Sequence, residues 1–148
     1  MVDVGAGTGA ITAPLLAAGA RVVAVELHGR RAETLRTRFE GMAVTVVRTD
    51  ATDLRLPRRP FRVVANPPFG VTTALLSRLL APGSRLVRAD LIVPVHVAYR
   101  WATGRAPGHG RWRAHFDVAV GRRVAPSAFR PPGPPSAVLI ISSRHRSC

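Results

Sequence analysis

Lysine is absent from this chain of 148 residues; all 22 basic residues are arginine. Acidic residues are few as well, with 8 Asp and Glu giving a net charge of +14. Cysteine occurs once, as the terminal Cys148, which excludes an internal disulfide and any Cys-x-x-Cys metal site. No apolar run approaches the length needed to cross a bilayer. The start lacks a charged segment leading into an apolar stretch, so secretion is not expected and a cytoplasmic location is. Aromatic residues are scarce at 5%, yet apolar residues reach 47%, enough for one packed domain.

Too few acids are present to pair every arginine, and an unneutralised field of this sign suits a polyanion. Arginine adds bidentate phosphate recognition and stacking on bases. The pairs Arg30-Arg31, Arg58-Arg59, Arg111/Arg113 and Arg122-Arg123 are spread along the chain, which implies a charged face and not one tail. A solvated surface with no partner is the alternative reading.

Short β-branched runs alternate with helical patterns over the first 95 residues. Strands are expected at 1–4, 21–26, 44–48, 61–65 and 86–95, and helices at 8–18, 29–40 and 71–80. This alternation predicts an α/β fold with a mostly parallel sheet. Two further strands, 116–120 and 137–142, have no helix between them and predict an antiparallel edge on a sheet of seven. Residues 103–113, rich in Gly and Arg, read as a mobile loop; Trp101 and Trp112 flank it, either to stack on RNA or to anchor the loop. A single domain over 1–143 and a short basic tail at 144–148 are expected.

Between the first strand and helix lies Asp3-Val4-Gly5-Ala6-Gly7-Thr8-Gly9. Glycines there allow a sharp turn and close backbone approach to a ligand, beside the free N–H groups of a helix start. The third glycine comes one residue earlier than in the dinucleotide-binding spacing. Glu26 ends the second strand, where a carboxylate can accept from two ribose hydroxyls or simply face solvent. Asp50, followed by Ala51, ends the third strand. It is open to accepting from an adenine amino group or to capping a helix, with Asp53 as its rival.

Asn66-Pro67-Pro68-Phe69 follows the fourth strand. The exocyclic amine of a base is a poor nucleophile, because its lone pair is delocalised into the ring. Two acceptors aimed at its N–H hydrogens favour a pyramidal nitrogen; the Asn66 side-chain oxygen and the Pro67 carbonyl are two such acceptors. Consecutive prolines stiffen that carbonyl, and Phe69 offers a face for a base taken out of its stack. Phe129 either closes the other side of the base or anchors a rigid loop. His96, His109, His115 and His145 lack metal-ligand spacing, and His28 reads as a helix start, so no metal is expected.

Taken together, Asp3 to Gly9, residues 22–28, residues 63–69 and Pro126 to Pro132 resemble the ribosomal RNA adenine N6-methyltransferase family. The branch most similar modifies 23S rRNA and confers resistance to macrolides, lincosamides and streptogramin B. The resemblance implies a Rossmann-like fold and S-adenosylmethionine as methyl donor. It implies that Asp3, Gly5, Ala6, Gly7, Gly9, Glu26, Leu27, Asp50, Ala51 and Asn66 bind that cofactor. By the same resemblance Asn66 and Pro67 polarise the target amine, Phe69 and Phe129 hold the flipped base, and the chain works as a monomer on ribosomal RNA. Relative to the family, an N-terminal segment before the glycine loop and a C-terminal helical domain are missing, and Phe69 stands where Tyr is frequent. Methylation of 16S rRNA or DNA adenine, and a non-catalytic RNA-binding remnant, are the competing readings.

Overall fold

A computed structural model describes residues 1–129 and 131–144, apart from the side chain of Phe69. Seven strands form one sheet: β1 (Val2–Val4), β2 (Val22–Val25), β3 (Val44–Val47), β4 (Phe61–Ala65), β5 (Leu86–Pro94), β6 (Phe116–Val124) and β7 (Ser136–Ser143). Their spatial order is β3-β2-β1-β4-β5-β7-β6. The first five strands are mutually parallel, and β7 runs antiparallel to both β5 and β6. The expected antiparallel edge is therefore a hairpin that inserts β7 between β5 and β6.

Strand order reverses between β1 and β4. Beyond the carboxyl ends of these two strands the connecting loops diverge to opposite sides and leave a crevice. Alternation along the buried strands sorts residues to two cores. Ala24 faces Ala6, Leu35 and Phe39 on one side, beneath α1 (Thr12–Ala17) and α2 (Gly29–Arg38). Val25, Val63, Leu91, Leu139 and Ile141 face the other side with α3 (Thr72–Leu79) and α4 (Val95–Ala102).

Helix α1 begins at Thr12, four residues later than its pattern predicts, because Gly9 holds φ at +105° and cannot continue a helix inward. Its other end follows the expected glycine stop. Gly19, at φ +84°, donates to the Leu16 carbonyl and Ala20 to that of Leu15, capping the last carbonyls.

Residues 103–113 depart from the expected loop. Helix α4 precedes them and a short α5 (His109–Trp112) lies within them. Trp101 and Trp112 are 1% and 6% exposed and stack on each other at 6.0 Å, so they anchor this segment and are not offered to RNA. The edge of the His109 ring meets Trp112 at 4.8 Å. Arg144 donates to the Asp117 carboxylate and to the His115 carbonyl, so the first residue of the expected tail is tied to the sheet. Residues 145–148, with Cys148 and His145, lie outside the described part. Among the described residues no helix is long and apolar enough to cross a membrane.

Candidate active site

Loops at the carboxyl ends of β1, β2, β3, β4 and β5 enclose a cleft of about 620 Å³, within the ~300–1,000 Å³ typical of small-molecule sites. Gly5 and Gly7 form one wall, Glu26 to His28 a second, Asp50 and Ala51 a third, and Asn66 to Pro68 a fourth. Phe129 and Pro134, from the segment before β7, close the side next to Pro94.

The glycine loop folds back on β2, with Gly5 and Ala6 N–H both donating to the Val25 carbonyl. Gly5 and Gly7 have φ of +72° and +58°, a region in which side chains are disfavoured. A Cβ on Gly7 would meet nothing within 4 Å, so this stretch of backbone is bare toward the cleft. Gly9 serves another purpose: a Cβ there would come within 2.5 Å of the Phe39 ring, so its bareness lets α2 approach the loop. Ala6 and Gly9 are not part of the cleft lining.

Asp3 also stands behind the loop. It is fully buried, accepts from the Thr12 hydroxyl at 2.6 Å, and its Oδ1 has no partner among the described residues. Burial raises its pKa, an effect that the Thr12 hydrogen bonds oppose and the nearby Glu26 charge reinforces.

Glu26 is 5% exposed at the end of β2. One carboxylate oxygen accepts from Gly7 N–H at 2.9 Å and the other from His28 N–H at 3.0 Å. This locks the rotamer and joins the glycine loop to the start of α2. Each oxygen keeps a lone pair for a second donor. His28 is the N-cap residue of α2, as expected, and Leu27 is half exposed at the cleft mouth.

Of the two sequence readings of Asp50, the structure shows the cap. Its Oδ1 accepts from Thr52 N–H and from the Thr52 hydroxyl, each at 2.9 Å, capping the 3₁₀ turn Ala51–Asp53. The backbone hydrogen bond holds its pKa below the usual value, so the group is an acceptor at neutral pH. Asp50 and Ala51 line the cleft while Asp53 does not.

On the opposite wall, Asn66 is exposed at the mouth, Pro67 is buried, and the Pro68 carbonyl accepts from the Thr72 hydroxyl and Val71 N–H. Pro68 Cδ and the Asn66 carbonyl lie 3.4 and 3.5 Å from where a Gly5 Cβ would be, so this wall abuts the glycine loop. Phe129 is half-buried against Gly133, whose own Cβ would press its ring at 3.1 Å. The Phe69 side chain lies outside the described part; its backbone opens a 3₁₀ turn after Pro68.

Sequence reading missed Thr49, Ile92 to Pro94 and Ser136, which also line the cleft. The signal for residues 92–94 lay in topology: β5 neighbours β4, so its carboxyl end must share the crevice. Arg31, noted only as part of a charged pair, lines it too. Among the described residues no three His, Cys, Asp or Glu side chains converge on a metal position.

A bare glycine turn, a carboxylate fixed at the end of β2 and a rigid Asn-Pro-Pro wall stand together at the switch point of a Rossmann-like sheet. The chain belongs to the ribosomal RNA adenine dimethylase family, whose profile matches residues 1–144. It is 36% identical over 145 residues to an rRNA adenine N-6-methyltransferase of Corynebacterium diphtheriae, covering 95% of this chain and 56% of that protein. Over 163 residues it is 36% identical to the ribosomal RNA small subunit methyltransferase A of Leifsonia xyli subsp. xyli, covering 98% and 56%. It thus spans little more than half the length of these relatives. In fold it resembles the crystal structure of the 23S rRNA methyltransferase ErmE, with TM-score 0.84 and 24% identity over 98% of this chain and 61% of that one. A dimethyladenosine transferase from Plasmodium falciparum gives TM-score 0.79 at 22% identity, covering 97% and 55%.

Proposed function

We propose that residues 1–143 form the catalytic domain of an S-adenosylmethionine-dependent methyltransferase acting on N6 of an adenine in ribosomal RNA. The carrying observation is that the glycine loop, Glu26 and the Asn66–Pro68 wall converge on one cleft. The cleft suits the cofactor's three parts. Bare backbone at Gly5 and Gly7 admits its methionine end, Glu26 accepts from the ribose, and Asp50 with Ala51 meets the adenine beneath Leu27. When bound, S-adenosylmethionine supplies a methyl group on a cationic sulfur.

The protein's own part is positioning and electrostatics. Asn66 and the Pro67 carbonyl accept from the two N–H groups of the target amine. The lone pair is thereby withdrawn from the ring and directed into the cleft. As the nitrogen becomes cationic, the same two oxygens stabilise the charge. Pro67 and Pro68 fix their backbone, so this costs little reorganisation at the moment of transfer. Phe129, with Phe69, holds the base extruded from its stack.

Within this reading the substrate is 23S rRNA, the physiological outcome resistance to macrolides, lincosamides and streptogramin B, and the working form a cytoplasmic monomer. The name of the C. diphtheriae relative supports an rRNA adenine as the target; for 23S rRNA the support is the fold shared with ErmE. A 16S rRNA adenine is the second reading, favoured by the small-subunit name of the L. xyli relative. Incubation with methyl-labelled cofactor and, separately, 23S rRNA, 16S rRNA and duplex DNA tests both. Label on one 23S adenine, mapped by blocked primer extension, is the expected result. Label on 16S rRNA would replace the substrate, and label on DNA would overturn the RNA assignment. RNA binding without label or cofactor binding would leave a non-catalytic remnant.

A further inference from the structure

Three arginines outside the paired clusters are bonded to backbone carbonyls of the loops around the cleft. Arg38 Nη1 donates to the Thr8 carbonyl of the glycine loop at 2.8 Å, with its guanidinium 5.0 Å from the Phe39 ring centre. Arg48 Nε donates to the Leu27 carbonyl at 3.3 Å, and its guanidinium lies against Gly29. Arg78, on α3, makes the strongest arrangement: Nε donates to the Thr52 carbonyl at 2.6 Å and Nη1 to that of Leu54 at 2.9 Å. It is also the only one of the three that is half-buried, the others being exposed.

Helix α3 has a second attachment. Its first residue, Thr72, donates from its hydroxyl to the Pro68 carbonyl at 3.3 Å. One rigid helix therefore holds the Asp50 turn at one end and the Asn-Pro-Pro wall at the other. The Ala51–Asp53 turn is a single 3₁₀ turn with no buried residue of its own. Without an external hold, its local capping by Asp50 must compete with the entropy of an open loop.

We propose that Arg78 is a positioning residue: through it α3 keeps the Asp50–Ala51 turn in its ligand-ready form and in register with Asn66. The proposal rests on reading the cleft as the cofactor site. A turn that is competent only part of the time weakens binding by the inverse of that fraction. Loss of two charge-assisted hydrogen bonds is large enough to open it most of the time.

The test compares the full chain with Arg78→Met, which keeps the stem, and Arg78→Lys, which keeps the charge and one donor direction. Calorimetry with S-adenosylmethionine should give about tenfold weaker binding for Arg78→Met, an intermediate value for Arg78→Lys, and partial recovery of the Met variant by free guanidinium. In the ligand-free proteins, Thr52 and Asp53 amide hydrogens should exchange faster in Arg78→Met, since both bond back to Asp50. RNA affinity and its salt dependence should be unchanged. Wild-type cofactor affinity in Arg78→Met, or unchanged amide exchange, would overturn the proposal. Weaker RNA affinity with a shallower salt slope would make Arg78 a phosphate contact instead. If the wild-type chain itself bound no cofactor, the functional reading would fall, and amide exchange would still decide whether Arg78 holds the turn.

Discussion

Asn66 and Asp3 show how differently two polar residues in one site can act. Asn66 is exposed at the mouth of the cleft. Asn66→Ala should therefore abolish transfer to RNA while changing melting temperature little; transfer at the wild-type rate would contradict its role toward the amine. Asp3 is fully buried, and burial places its pKa above the ordinary 3.8. The folded state then binds more protons than the unfolded state between 3.8 and that raised value. The stability Asp3 contributes as a neutral acid is fully present below 3.8 and is lost as pH rises through its folded pKa. Asp3→Asn stays neutral throughout, and its amide oxygen can still accept from Thr12. Denaturant midpoints should show the variant gaining on the wild-type chain as pH rises above 3.8. A constant difference across that range would mean that Asp3 titrates alike in both states.

At the scale of elements, the glycine loop separates packing from binding within one motif. Gly7→Ala places its methyl in open space at positive φ and should cost about 1–2 kcal/mol of stability while blocking the cleft wall. Gly9→Ala adds an overlap with Phe39 to its backbone strain, so a loss of about 3 kcal/mol or more is expected. Thermal unfolding and cofactor titration of the two variants check the split: equal destabilisation would refute it. The sequence carried the strands and this loop clearly because β-branched runs and glycines act locally. It carried the α4 and α5 region poorly. What orders residues 103–113 is the burial of Trp101 and Trp112 against the sheet, a contact between distant parts of the chain. Likewise, spacing identified Gly5, Gly7 and Gly9 as a group, but only the position of Phe39 shows that Gly9 backs a helix. The inward turn of Arg78 had no local signal, because its carbonyl partners lie 26 and 24 residues away.

Across the whole molecule, the charge of +14 is less free than its size suggests. Among the described residues, Arg36, Arg88 and Arg144 pair with Glu33, Asp90 and Asp117. Arg38, Arg48 and Arg78 are engaged by carbonyls. Arg122 and Arg123 are placed differently. They are exposed on β6, where one extra residue between Val120 and Arg123 breaks the register with β7. Val124 pairs with Ser136, and Ser136 with Pro94, so this end of β6 reaches the same sheet edge as the cleft. A bulge beside a binding edge re-aims side chains, and under the proposed function RNA whose base enters between Asn66 and Phe129 would pass Arg122 and Arg123. Removing one arginine from a phosphate should flatten the plot of log affinity against log salt by about one unit. The double variant Arg122→Ala, Arg123→Ala should therefore lower the slope by about two, weaken RNA binding most at low salt, and leave cofactor binding as in the wild-type chain. An unchanged slope would move the RNA path away from the β6 edge and toward Arg31, which lies on the other side of the cleft.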